Sequence, residues 1–201
     1  VNVPQELTAS ISKFNRSMLH FGSKLFVFGK VSEPKIRGYL ALRDSFIADL
    51  YTEIKNVRLN FSGTNMNLNG KVLLLNGSDI AVNANASLLP SSVFTVNKVD
   101  VNSKNFDLDK VMKVAEQAMK FVPPVPPSAS ITSAPADIPV KIEDGSILFR
   151  QLKTGDIIVT NTTGNIAMDK NVFFLNNLRT HVFDGIVRGN ITANLQNLKL
   201  K

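Results

Sequence analysis

Cysteine and tryptophan are absent from this 201-residue chain, and only two histidines, His20 and His181, occur in it. No disulfide framework and no thiolate metal site can therefore form, and the redox compartment leaves no mark. The two histidines lie far apart and match no metal-ligand spacing. Charge is scarce too: 19% of residues are charged, against about a quarter in ordinary globular chains. No apolar run reaches the ~18 residues of a membrane-crossing helix, and no leader pattern opens the chain. Beginning at Val1 rather than Met, the sequence reads as a piece of a longer protein.

Catalytic signatures are equally thin. Ser17, Ser78 and Ser146 stand in no nucleophile-elbow context. Asp107 and Asp109 read as helix-start residues rather than as an acid–base pair. Gly29, Gly38, Gly185 and Gly189 sit among alternating residues with no helix after them, so they make no phosphate cradle. These readings point away from an enzyme, and no cofactor or metal is implied. The formal net charge is +7 with pI near 9.7. Its positives are scattered, as at Lys13, Arg16, Lys24 and Lys30 and then Lys110, Lys113 and Lys120, with no basic run interleaved with aromatics. That pattern describes a solvated face and not a nucleic-acid site.

What the chain does have is alternation. From Ile138 to Leu195, apolar residues recur at every second position, as in Ile138-Val140-Ile142, Ile147-Phe149, Ile157-Val159, Ile166-Met168 and Ile191-Ala193-Leu195. Asp-Gly, Thr-Gly-Asp, Asn-Thr-Thr-Gly and Asp-Lys-Asn punctuate them. Period two broken by turn residues predicts a meander of antiparallel strands, one face apolar and one wet. The first half repeats the device. Strands are expected at Glu6 to Phe14 (where Leu7, Ile11, Phe14 and Met18 also fit a helical spacing), Leu25 to Val31 and Ile36 to Arg43, then, after a turn at Asp44-Ser45, at Phe46 to Tyr51. Others follow at Ile54 to Phe61, Met66 to Leu75, Ile80 to Leu88 and Phe94 to Val101.

One amphipathic helix is expected at Leu108 to Phe121, where Val111, Val114, Ala115, Ala118 and Phe121 form a stripe. Prolines at 123 and 124 stop it, and 123–136 reads as a Pro-rich linker. The expected organisation is thus a β unit over 1–104, the helix over 105–122, that linker, and a second β unit over 137–201. Every strand's apolar face must be buried against a second sheet, a helix or a hydrophobic ligand. One short helix covers only part of ten or so strands. A closed sandwich with a structural or adhesive role and an open groove filled by lipid tails both satisfy the pattern.

Particular motifs lean toward the groove. Pro139-Val-Lys-Ile-Glu-Asp144-Gly145-Ser-Ile147-Leu-Phe149, followed by Leu178-Arg-Thr-His-Val-Phe-Asp184-Gly185-Ile-Val-Arg-Gly189, resembles the C-terminal repeat unit of AsmA-type proteins. Phe106-Asp-Leu-Asp-Lys-Val before a helix and a Pro-rich gap is similar to the same family. Phe28-Gly29-Lys-Val-Ser-Glu-Pro34-Lys-Ile36-Arg-Gly38-Tyr-Leu40 is similar to its TamB branch. The likeness spans most of Leu25 to Leu195; Phe183 and Asp184 depart from it where relatives often carry an aromatic and Gly.

The resemblance implies a mainly β fold of antiparallel strands forming an open, curved, taco-like β-groove. It implies a parent protein anchored in the inner membrane, a periplasmic location, and conduction of phospholipids between the two membranes of the envelope. Expected partners are phospholipid tails, membranes reached through other parts of the parent, and an outer-membrane protein. In the first β unit the lining residues are expected to be Ile36, Leu40, Leu42, Val57, Leu59, Phe61, Leu68, Val72, Leu74, Ile80, Val82 and Ala84. In the second they are Ile157, Val159, Ile166, Met168, Val187 and Ile191.

Overall fold

Alternation of apolar residues with Asn, Ser and Thr does produce strands almost throughout. The computed structural model describes residues 17–30, 33–50, 52–74, 77–87, 94–119 and 140–194. Six strands come first: β1 (Met18–Lys30), β2 (Glu33–Ile47), β3 (Thr52–Gly63), β4 (Asn65–Leu74), β5 (Asp79–Ser87) and β6 (Phe94–Asp107). Each pairs antiparallel with the next. A 3-10 turn, η1 (Ala48–Leu50), joins β2 to β3. The single helix among the described residues, α1 (Leu108–Met119), follows β6 directly. Then come β7 (Val140–Ile142), β8 (Gly145–Thr154), β9 (Ile157–Asp169), β10 (Val172–Val182) and β11 (Gly185–Asn194).

All eleven strands belong to one open sheet in the order β1-β2-β3-β4-β5-β6-β7-β9-β10-β11, with β8 also between β6 and β9. β7 and β8 occupy one line: Val96↔Ile142 and Val99↔Gly145 keep the same offset along β6. The break between them is bridged by Glu143 N donating to Val96 O at 2.9 Å and Val99 N donating to Asp144 O at 3.0 Å. Both strands run parallel to β6, which corrects the expectation of antiparallel strands throughout: the sheet is mixed. The physical reason is the crossover. A strand–helix–strand connection returns the chain to the end where β6 began, so the next strand must run the same way. The two β units expected from the sequence are consequently joined into one layer along this parallel seam.

Local differences follow from turn chemistry. The expected turn at Asp44-Ser45 lies inside β2, where Asp44 takes φ 42°. The irregularity faces a register shift between Met18 and His20, and the buried Ser45 Oγ accepts from His20 N at 2.9 Å and donates to Arg43 O. The Asn-Thr-Thr-Gly segment also stays within β9, with Asn161 at φ 50°. Asn tolerates the left-handed region, so a bulge absorbs what looked like a turn. True turns fall at Gly155-Asp156, Lys170-Asn171 and Phe183-Asp184, where Gly155, Lys170 and Phe183 have positive φ.

Asp107 caps α1, its Oδ1 accepting from Lys110 N at 3.1 Å. Burial pushes the Asp107 carboxyl up, but the Lys110 hydrogen bonds and the charges of Lys110 and Lys153 outweigh it and hold its pKa below the ordinary carboxylate value. The helix packs on β8, η1 and β6, and no helix among the described residues is long and apolar enough to cross a membrane. The expected strand at Glu6 to Phe14, the helix end at Phe121 and the linker over 123–136 lie outside the described residues.

Candidate functional site: a continuous apolar sheet face

Residues directly opposite one another on neighbouring strands share a face, so the pairing register sorts the side chains. One row runs Leu25, Gly38, Phe61, Met66, Ala86, Val96, Ile142, Met168, Phe173, Ala193, crossing the sheet from edge to edge. A second runs Ser23, Leu40, Leu59, Leu68, Ala84, Val99, Gly145, then Ile166, Leu175, Ile191. A third runs Phe21, Leu42, Val57, Gly70, Val82, Val101, Ile147, Gly164. With ten strand positions about 4.8 Å apart, the rows extend roughly 43 Å.

The expected lining residues mostly meet on this face. Ile36, Leu40, Leu42, Val57, Leu59, Phe61, Leu68, Val72, Ile80, Val82, Ala84, Ile166, Met168, Val187 and Ile191 all belong to it by register. Leu74 pairs with Thr52 at its margin. Ile157 and Val159 do not join them. They pair with Thr154 and Leu152, on the opposite face from Ile166. A turn at Asn161 would put odd positions before it and even positions after it on one face; β9 instead runs through with unbroken alternation against β8. Missed altogether were Val96, Val99, Val101, Ile147 and Phe149, whose own period-two pattern was the available signal.

Among the described residues no second strand layer covers this face. Every extensive strand contact is between sheet neighbours. Leu40, Leu59, Leu68 and Val82 stay half-exposed, while Phe149, Ile166 and Met168 are buried. Burial in the second half comes from glycine. A Cβ at Gly145 would lie 2.5 Å from Ile166 Cγ1 and 2.9 Å from Val99 Cγ1; at Gly164 it would lie 2.6 Å from Leu175 Cδ1. Larger side chains thus fold over both glycines. Phe106 stacks on Phe149 with ring centroids 4.5 Å apart.

The reverse face is polar over the middle of the sheet. Asn85 Nδ2 donates to Asn67 Oδ1 at 2.7 Å and Asn97 Nδ2 to Asn85 Oδ1 at 3.0 Å, while Asn69 bonds Asn83. Arg58 lies over the Tyr39 ring at 4.2 Å. These amides bond one another and leave that face wet. The edge strand β1 differs, exposing Phe21, Leu25 and Val27 on the apolar face and Phe26 and Phe28 on the other. Among the described residues no three His, Cys, Asp or Glu come together as metal ligands. No family model, curated protein or solved structure matches the chain.

Proposed function

We propose that this apolar face is the floor of a curved, taco-like trough that conducts phospholipid tails, and that the chain is a segment of an AsmA/TamB-like envelope protein moving lipid between inner and outer membranes. The observation that carries the reading is the set of three apolar rows, two crossing the whole sheet and one reaching β9, with no strand layer over them among the described residues. Uncovered apolar area of that extent needs an occupant. An acyl tail gains ~0.8 kcal/mol per CH₂ on leaving water, or about 10 kcal/mol for a sixteen-carbon chain. Rows of Leu, Val, Ile and Phe interspersed with small residues offer apolar contact from strand to strand, so a tail can slide without falling into one deep site. Among the described residues no strand pairs with the outer edge of β1 or β11, so none closes either end of such a trough. The motif resemblance supplies the membrane setting.

A sandwich made by stacking the two β units is disfavoured by the parallel seam, which places both in one sheet. The test is photo-crosslinking in cells from Leu59 and Val82 against Arg58 and Asn83. Phospholipid adducts from the first pair alone are expected, and the purified chain should move labelled lipid between vesicles. Equal labelling of both pairs, or none, overturns the reading in favour of a scaffold without lipid.

A further inference from the structure

Along β8 the apolar face changes character. Gly145, Ile147 and Phe149 are followed on the same side by Gln151 and Lys153, paired with Thr160 and Ile158 of β9. At this margin, beside the start of α1, a cavity of about 360 Å³ is lined by Gly77, Ser78, Asn105, Phe106, Asp107, Lys110, Gln151, Lys153 and Ile158. Its floor is continuous with the rows through the Phe106–Phe149 stack. Its wall carries two lysines and one carboxylate. Asp107 Oδ2 is 3.2 Å from Lys110 Nζ, and both lysines stabilise its ionised form. Behind that wall Asp109 Oδ2 accepts from Gly155 N at 2.6 Å, and Asp79 Oδ1 from Lys104 N and Asn105 N. The lining residues themselves, Lys110, Lys153 and Asp107, sum to one positive charge beside Phe106 and Ile158.

We propose that it receives the phosphodiester of a phospholipid whose tails lie along the rows, an inference that rests on the trough reading above. A phosphodiester carries one negative charge, which matches the excess, and offers acceptor oxygens to Lys153, Lys110 and the Gln151 and Asn105 amides. The change of polarity along β8 then sets the headgroup at the margin of the face, beside the rows that hold the tails. The site selects lipids bearing phosphate from neutral lipids with the same tails.

The test uses the purified chain exposed to vesicles of phosphatidylglycerol mixed with diacylglycerol of identical acyl chains, with retained lipid counted by mass spectrometry. Wild type should enrich the phospholipid about tenfold, the scale of a charge-assisted contact. Lys153→Gln, at an exposed position, should bring the ratio near one with total lipid unchanged. Lys98→Gln, beside the amide ladder on the other face, should leave it as in wild type. An equal ratio in wild type and Lys153→Gln overturns the site while the trough stands. Absence of both lipids overturns the trough and the site with it. Inorganic phosphate titrated alone should give no Lys153-dependent heat; such heat without lipid retention reassigns the cavity to free phosphate and overturns the proposal.

Discussion

The two halves of the sheet carry the same apolar rows yet treat them differently. In β2 to β5 the row residues Leu40, Leu59, Leu68 and Val82 remain half-exposed. In β8 and β9, Phe149, Ile166 and Met168 of the same face are buried, and β9 alternates buried and less buried positions over Thr162 to Met168. Hydrophobic pattern is common to both, so it does not explain the difference. Both halves hold glycine in the rows, but at Gly145 and Gly164 the side chains of Ile166, Val99 and Leu175 lean over to within 2.5 to 2.9 Å of where a Cβ would stand, whereas at Gly70 Val57 Cγ2 stays 3.4 Å away; Phe106 also leans onto Phe149. An apolar face closes on itself where large side chains lean over a glycine, and stays open where they stand clear of it, as beside Gly70.

The largest expected effect tests that contrast directly. Ile166→Asp places a carboxylate among buried side chains and should destabilise the chain by about 3–5 kcal/mol, the scale of an unpaired buried charge. Val82→Asp, with a half-exposed side chain on the same face of the first half, should cost about 1 kcal/mol while abolishing lipid crosslinking. Urea melts decide, and equal losses would dissolve the comparison. Next comes Gly164→Val, which drives a side chain into Leu175 and should cost about 1–3 kcal/mol. Gly189→Ala in β11, where a Cβ meets nothing within 4 Å, should stay within about 0.5 kcal/mol.

How much of this was legible beforehand depended on distance along the chain. Alternation placed Leu59, Val82 and Ile191 on one face because period two is a local property, written in each strand by itself. The parallel seam was not legible, since it depends on where the chain returns after α1, and no residue within Gly145 to Thr154 encodes its partner. Asp44 and Asn161 misled for a related reason. Each is a turn former, and only the neighbouring strand decides whether its left-handed backbone becomes a turn or a bulge. Gly145 and Gly164 were read as punctuation, although their role is to make room for Ile166 and Leu175.

Two smaller effects sharpen the contrast. The buried Thr162 and Thr180 hydroxyls lie 2.7 Å apart where the rows give way to polar residues. Thr162→Val should cost about 1 kcal/mol, because it leaves Thr180 Oγ1 only its longer, 3.5 Å bond to Thr160 O; the double Val variant should lose less than the two single losses together, as a double-mutant cycle on thermal melts would show. Smallest is Asp107→Asn, because Asn caps a helix as well as Asp and only the attraction to Lys110 and Lys153 is lost. The folded carboxyl has a lowered pKa, so its contribution is full above the unfolded value near 4 and fades as pH falls through that value to the folded one. Wild type should therefore exceed Asp107→Asn by a few tenths of a kcal/mol at neutral pH, and the gap should close in acid.

The parallel seam also sets the order in which the sheet assembles. Within β1 to β6, and again within β8 to β11, neighbours are joined by short hairpin connections and can zip as soon as they are synthesised. Val99 and Gly145, by contrast, are brought together only by closing a loop of 46 residues. Relative to a hairpin of about four residues, that closure costs roughly 2 kcal/mol more in chain entropy. The two meanders are therefore expected to form first as separate cooperative units, with docking of β8 on β6 as the slow step. Amides at the β6–β8 junction should then acquire protection last in pulse-labelled refolding, after those of either hairpin stack.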